Sequence, residues 1–443
     1  MNESPLLDSF LLGMFRFHTR GFLRMTECDG AVPPRPRAGG AYLYVHIPFC
    51  EALCPFCSFH RVLLCRPQAH RYFTALRREI RLYHQAGHEF TGVYFGGGTP
   101  TVEPQELLET IALVRSLFAV RDISVETNPP DLRPPLPEQL RHGGVTRLSV
   151  GVQSFDDTLL REMGRFEKYG SGAEIADHIR GAAGLFPTLN VDLIFNQPHQ
   201  TLASLERDLD IFQTLGANQV SCYPLMTSPA VLRRMAGAMG VPDRRRLRQY
   251  YKAIGRRLCA GGFNPTSAWC FTRSGEGGDE YIATADNYVG AGSGAFSYLD
   301  GTLYTTTFSL AAYEQRIARG LTGIVTRHQL CNTDRMRYAL LVRMFGLGLD
   351  REWARRHHGP GFFRRLWGEL LTLEVLGAAR RDTRGWRLTE SGRYWLMLMM
   401  AEFFQSVNTY RDAMRAQVAA EQTAVERTAQ THANQIHRIR INP

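Results

Sequence analysis

From residue 41 onward the chain alternates between two hydrophobic patterns. Short runs rich in β-branched and aromatic residues occur at 41–47 (AYLYVHI), 92–95 (GVYF), 122–127 (DISVET), 146–152 (TRLSVGV), 190–195 (NVDLIF) and 219–225 (QVSCYPL). Between them, apolar positions recur at helical spacing over 68–86, 104–118, 136–142, 156–163, 172–184 and 202–215. Strands and helices alternating in this way predict an α/β fold of parallel strands joined by helical crossovers. The strand runs are nearly continuous in hydrophobicity, as expected when both faces are covered. Periodicity does not separate an open doubly wound sheet from a full or partial barrel. In either case, chemistry belongs at the C-terminal edge of the strands.

The rhythm changes after residue 240. Residues 241–258 read as a helix capped near Asp243, and 280–307, rich in Gly, Tyr and Thr, suit added strands. Helical stretches at 332–345, 350–357 and 362–376 precede GWRLTESGRYW, a short strand pair leading into a long helix from about residue 389. That order predicts a winged-helix-like module. Ahead of the core, residues 1–40 end in AVPPRPRAGG, which reads as an irregular arm. The expected division is an N-terminal arm at 1–40, a core at 41–240, an accessory extension at 241–325 and a C-terminal winged-helix-like domain with a helical tail at 326–443.

Composition narrows the class. At 44% hydrophobic and 21% charged residues the chain is neither disordered nor a small disulfide scaffold. The longest apolar stretch, Tyr394 to Met400, is too short to span a membrane. The N-terminus lacks a basic flank and a cleavage signal, so a soluble, cytoplasmic chain is expected. Nine cysteines, an odd number at irregular spacing, point to metal ligation or catalysis. The net charge of +10 reflects 50 arginines against two lysines, Lys168 and Lys252. The run Arg244, Arg245, Arg246 and Arg248, continuing to Arg256 and Arg257, fits a solvated helix face or a funnel for a polyanion.

The strongest chemical signal is Cys50, Cys54 and Cys57 in YVHIPFCEALCPFCSF, directly after the first strand. Three thiolates on one loop hold three corners of a cubane iron–sulfur cluster and leave the fourth iron without a local cysteine. An open metal position can bind a substrate or cofactor, whereas a fully ligated one cannot. Pro55 disfavours helix within the loop. The alternatives are a zinc site completed by His46 or His60, or inert thiols.

Further candidates lie at later strand ends. Gly96, Gly97, Gly98, Thr99 and Pro100 follow the second strand, where glycines let backbone approach a ligand or merely make a turn. Glu126 in VETNP, Gln153 in SVGVQSF, Arg165 in MGRFE and Asp192 in NVDLIF are polar residues at the same edge. Gly290, Gly292 and Gly294 suit either a loop at a substrate mouth or a crowded turn. Trp269, Phe271, Phe296 and Tyr298 suit stacking on a flat ring or core packing. Cys222, Cys259, Cys270 and Cys331 lack ligand spacing and are expected to be buried thiols.

The cysteine spacing, the preceding YxHIPFC and Phe56 before Cys57 closely resemble the radical S-adenosylmethionine enzymes, specifically oxygen-independent coproporphyrinogen III oxidases and their relatives. The likeness covers about residues 40–230 and, more loosely, the C-terminal module. It implies a partial (β/α)6 TIM-like barrel with a [4Fe-4S] cluster on Cys50, Cys54 and Cys57. It also implies S-adenosylmethionine held by the open iron and by Tyr44, Phe56, Gly97, Gly98, Thr99, Glu126, Gln153, Arg165 and Asp192. In that family, reduction cleaves the cofactor to a 5′-deoxyadenosyl radical that abstracts hydrogen from substrate.

The implied substrate is a tetrapyrrole, the implied reaction oxidative decarboxylation of propionates in porphyrin and haem biosynthesis, and the implied electron donor a low-potential flavodoxin or ferredoxin. Authentic oxidases carry another cysteine two residues after the third ligand, where this chain has Ser58 and Phe59. The Arg-Tyr-x-x-Tyr-Pro type motif of their N-terminal arm is not found in residues 1–40. Haem chaperones and anaerobic haem-degrading enzymes share the Cys-x-Phe ending and stand as alternatives. An iron–sulfur regulator that binds nucleic acid through the winged-helix module is a third reading, and the barrel-like core argues against it.

Overall fold

Six parallel strands form the centre of the computed structural model, which describes residues 5–37, 40–273 and 285–441. They are β1 (Ala41–Ile47), β2 (Phe90–Gly97), β3 (Asp122–Thr127), β4 (Arg147–Gln153), β5 (Thr188–Phe195) and β6 (Gln219–Pro224). Each pairs with the next in chain order. Leu43, Val45, Ile47, Phe95, Val125, Val150 and Val191 are fully buried, which explains the continuous hydrophobicity of the runs. Two of the crossover helices start at capping boxes, whereas Arg66–Gln85, Pro104–Leu117 and Leu136–His142 carry a proline in the first turn and no side-chain cap. Ser171 and Glu174 form a capping box that opens Gly172–Ala182, and Thr201 with Ser204 does the same for Leu202–Gln213.

The sheet grows at both edges. On β6 it adds β7 (Cys270–Thr272), antiparallel, and then Asn264–Pro265. On β1 it adds β8 (Tyr288–Ala291), parallel, followed by β9 (Phe296–Leu299), β10 (Thr302–Thr306) and β11 (Ile324–Gln329), all antiparallel. Thr26–Glu27 closes that side. The two outermost strands do not pair, so the 13-stranded sheet stays open. Residues 280–284 of the expected strand region lie outside the described residues; the remainder forms β8 to β10.

The C-terminal part contains the helices Asn332–Phe345, Arg351–His358, Phe362–Arg365 and Trp367–Val375 with a small antiparallel sheet, Gly348–Asp350, Gly385–Leu388 and Ala379–Arg381. The single helix expected over 362–376 breaks at Leu366, and the strand Gly348–Asp350 was not foreseen. A long helix, Glu390–Ile441, follows.

The N-terminal arm departs from expectation. Residues 31–36 are irregular, but Pro5–Thr19 is a helix. It packs on the C-terminal helix through Leu7, Leu11, Leu12 and Phe15, with Arg16 bound to Glu402 at 2.5 and 2.9 Å. The basic run is a solvated face in part: Arg244, Arg245 and Arg256 are exposed, whereas Arg248 is largely buried. Asp243 caps a short 3-10 turn, Arg244–Arg246, and the helix Leu247–Ala260 follows. Arg246 donates to the Pro198 and Gln200 carbonyls, while Arg248, Arg256 and Arg257 pair with Asp8, Glu206 and Asp210.

Candidate active site

The cysteine loop is a closed excursion from the end of β1. Phe49–Cys50 pairs with Val62–Leu63, so Cys54 and Cys57 lie on the arc between two hydrogen-bonded feet. Within it the Cys57 N–H donates to the Cys54 carbonyl at 3.3 Å, and Arg61 donates to the same oxygen at 2.5 Å. Two sulfurs accept hydrogen bonds from outside the loop, one from just after β2 and one from the turn that follows the helix Asp157–Glu162. Thr99 Oγ1 donates to Cys50 Sγ at 3.6 Å, and Arg165 Nη1 to Cys54 Sγ at 3.7 Å. Asn128 joins these donors, giving a hydrogen bond to Thr99 Oγ1 at 3.0 Å and accepting one from Arg165 Nη2 at 3.1 Å. Arg165 also reaches the Gly151 carbonyl and lies over the Tyr169 ring at 4.2 Å.

The glycine motif serves close approach. The Gly98 and Thr99 N–H groups donate to the Ile47 and Phe49 carbonyls at 2.7 and 2.8 Å. A Cβ on Gly98 would lie 2.6 Å from the Phe49 oxygen, and one on Gly97, whose φ is +118°, 2.7 Å from the His46 ring. Any larger residue would push the loop away from β2. The Gly97 N–H and the Tyr94 hydroxyl donate to the two Glu126 oxygens at 3.0 and 2.8 Å. Burial pushes the Glu126 carboxyl above its ordinary range, and these two donors oppose the shift.

Asp192 accepts from Ser149 at 2.9 Å and Asn190 at 2.8 Å. Burial raises it to about 7 against the pull of Arg147. Gln153 has a left-handed backbone, φ +75°, at a register shift on β4, a strained conformation for a non-glycine residue.

Tyr44, Cys50, Cys54, Phe56, Cys57, Gly97, Gly98, Thr99, Glu126, Gln153, Arg165 and Asp192 all line one cavity of about 300 Å³. Its far wall carries Tyr223, Trp269, Phe296, Phe404, Asn408 and Arg411. Of the four candidate stacking residues, Trp269 and Phe296 reach the cavity. Phe271 is buried elsewhere, and Tyr298 packs on Tyr338 at 4.3 Å. The glycines of 290–294 form a crowded turn behind the cysteine loop, where a Cβ on Gly292 or Gly294 would strike the His46 oxygen or the His60 ring. Cys222 and Cys270 are buried thiols, whereas Cys259 and Cys331 are exposed, and Cys331 caps the helix Asn332–Phe345.

The donor set fits a cluster. The three cysteines carry no disulfide and share one wall of an open cavity, and hydrogen-bond donors reach two of the sulfurs, as suits anionic ligands. Burial raises the Cys50 thiol to about 11 and also raises Cys57, so metal binding there would release protons. A zinc site completed by His46 fits poorly, because that ring is hydrogen-bonded through both nitrogens, to the Tyr44 hydroxyl and the His60 carbonyl, each at 2.9 Å. Among the described residues no three His, Cys, Asp or Glu side chains converge on a single ion.

Sequence reasoning missed several groups. Asn128 and Tyr94 sit within or beside the motifs already noted. Arg61, Asn408 and Arg411 carried no motif signal.

The family model described as the radical SAM superfamily matches residues 44–212. The heme chaperone HemW of Bacillus subtilis is 31% identical over 271 residues, which cover 58% of this chain and 71% of that protein. The oxygen-independent coproporphyrinogen III oxidase of Bradyrhizobium diazoefficiens is 27% identical over 401 residues, covering 83% and 87%. Among solved structures, coproporphyrinogen III oxidase (HemN) from Escherichia coli is similar in fold, with a TM-score of 0.69 at 23% identity, over 84% of this chain and 91% of that one.

Proposed function

This chain belongs to the radical SAM superfamily, in the branch of heme chaperones and oxygen-independent coproporphyrinogen III oxidases, and from that premise we propose that it is a cytoplasmic radical enzyme acting on a tetrapyrrole. Proteins of this superfamily use a [4Fe-4S] cluster and S-adenosylmethionine. Cys50, Cys54 and Cys57 hold the cluster in this reading. Tyr44, Phe56, Gly97, Gly98, Thr99, Glu126, Gln153, Arg165 and Asp192 surround the nucleotide. The observation that carries the reading is that all twelve residues line a single cavity whose far wall is aromatic. When bound, the two groups supply a one-electron reductive cleavage that ends in removal of a hydrogen atom from substrate.

The protein's own residues prepare that chemistry. Thr99 and Arg165 place donors on two sulfurs and, through Asn128, couple the ends of β2 and β3 to the cysteine loop. Glu126 and Asp192, each fixed by two donors, offer carboxylate oxygens to ribose hydroxyls or an ammonium group. Tyr223, Trp269, Phe296 and Phe404 give a flat ring an apolar wall and exclude water. The proposed division follows: core at 41–240, extension at 241–325, and a C-terminal part at 326–443 that covers the cavity.

The preferred reaction is oxidative decarboxylation of propionates, in which each propionate would give up one hydrogen atom, carbon dioxide and one electron, the last to a one-electron acceptor, to become a vinyl group; a low-potential flavodoxin or ferredoxin would supply the separate electron that starts the turnover. Haem carriage or modification is the second reading, favoured by Phe59 where oxidases carry a further cysteine. Protein reconstituted without oxygen should hold about four irons per chain. Incubation with reductant and coproporphyrinogen should release 5′-deoxyadenosine and carbon dioxide. Release only with haem, or haem bound without nucleotide cleavage, would overturn decarboxylation in favour of the second reading. Zinc in place of iron would overturn both.

A further inference from the structure

The proposed chemistry needs an electron brought to the cysteine loop from outside, and the loop has a solvent-facing side. Cys50 pairs with Leu63 in parallel register, which sets both side chains on one face of a short ribbon, about 5 Å apart. Cys50 is 7% exposed and Leu63 58%, so this cysteine lies one strand spacing behind a side chain in contact with water. Leu53, three residues past Cys50, is 43% exposed. A lone exposed leucine needs no explanation, but two on the loop that carries the three thiols form an apolar tip over it.

Leu63 leads directly into the helix Arg66–Gln85, whose outward face is basic. Arg66, His70, Thr74, Arg78 and Arg81 follow one another at intervals of four and three, and all are exposed, with Arg71 beside them. The helix has one acid, Glu79, which is fully buried and holds the Gly292 and Gly323 N–H groups and the Tyr313 hydroxyl. Arg66 and Arg71 meet Glu103 and Glu314 at 3.2 and 3.3 Å, and their side chains remain 67% and 62% exposed. Arg78 and Arg81 lie within ion-pair distance of no acid among the described residues. The one acid of residues 50–65, Glu51, faces Lys168 at 3.9 Å. A small apolar tip brings two redox centres close, and a neighbouring face of one sign steers the encounter without demanding tight binding. A polynucleotide would use the arginines and leave the two leucines beside Cys50 without a role.

We propose that Leu53, Leu63 and the arginine face of the helix Arg66–Gln85 form the docking surface for an acidic one-electron carrier protein. On contact the reduced carrier gives up one electron, which is taken up by the cluster on Cys50, Cys54 and Cys57. The carrier leaves oxidised by one electron, and no covalent bond forms or breaks in that step. The inference rests on the cluster reading above and deepens it by naming the side from which electrons arrive.

The test uses the full-length holoprotein, prepared without oxygen, titrated into a dye-labelled oxidised flavodoxin and, in parallel, a dye-labelled oxidised [2Fe-2S] ferredoxin, both of net negative charge, while anisotropy is followed. The parent should bind at least one carrier with a Kd of about 1 to 100 μM, weakening about 10-fold between roughly 50 and 300 mM salt. The double variant Arg78→Glu, Arg81→Glu should weaken that binding about 10-fold or more, and Leu63→Glu should do the same. Mixing with the reduced carrier should then reduce the cluster more slowly in the double variant, whereas dithionite, a small reductant that needs no protein contact, should reduce it as fast as in the parent. Equal carrier binding by the parent and the double variant overturns the docking surface and leaves the cluster reading intact. Carrier binding by the parent that ignores salt, or no binding of either carrier, does the same and needs no variant. Duplex DNA that binds the parent more tightly than either carrier, and is lost in the double variant, overturns it in favour of nucleic acid. A parent with no centre that dithionite reduces overturns the cluster reading, and this inference with it.

Discussion

Asp192 places a carboxyl where charge is costly. It lies deep in the protein with its accessible part facing the cavity, held by Ser149 and Asn190, and burial raises it to about 7 while Arg147 works in the other direction. A carboxyl raised in the folded state binds its proton more tightly there than in the unfolded chain. Its cost is therefore absent below the unfolded value near 4, grows as pH rises, and is complete above about 7. Asp192→Asn, which can still accept from Asn190, should match the parent below pH 4 and exceed it in stability above pH 7. Denaturant midpoints measured across that range would show a difference opening between pH 4 and 7, and parallel curves would refute the assignment. A residue kept ionisable at such a cost is consistent with a ligand-binding role.

Among the elements, the helix Pro5–Thr19 depends most on a distant partner. Asp8 accepts from Arg248 at 2.5 Å, Tyr394 at 3.1 Å and Trp395 at 3.0 Å, and both ends of the Asp8–Arg248 pair are mostly buried. Asp8→Ala should cost about 2 kcal/mol, because three donors lose one acceptor, and urea unfolding would measure it. The element also shows what the sequence could not reveal. Leu11, Leu12 and Phe15 become an apolar face only against a helix nearly 400 residues later, and the Pro- and Gly-rich stretch after them masks the signal. The six core strands were legible because burial on both faces leaves a local trace, and the strand-end residues from Tyr44 to Asp192 were legible through their motifs. Asn128 was within reach, one residue from Pro129 in VETNP. Arg411 was not, because its partners Phe59 and Phe296 meet it only in the folded molecule.

At the scale of the whole molecule, a charge of +10 and a winged-helix-like arrangement invite a nucleic-acid reading, and the surface argues against it. In such modules the helix preceding the two wing strands is the one that enters the major groove, presenting arginine, lysine or amide side chains to base edges. Here that helix, Trp367–Val375, contains two glutamates and no arginine or lysine. Its Trp367, Leu371 and Val375 are 64%, 46% and 68% exposed. In the basic run elsewhere, Arg246 and Arg248 are held by the Pro198 and Gln200 carbonyls and by Asp8, and Arg256 and Arg257 lie beside Glu206 and Asp210, whose charges offset theirs toward phosphates. Duplex DNA should therefore bind more weakly than about 1 μM at physiological salt, without sequence preference, as read by fluorescence anisotropy. Tight binding that falls steeply with salt would instead mean that the arginine surplus forms a surface the intramolecular pairs do not consume, and would move the C-terminal part from covering the cavity to contacting nucleic acid.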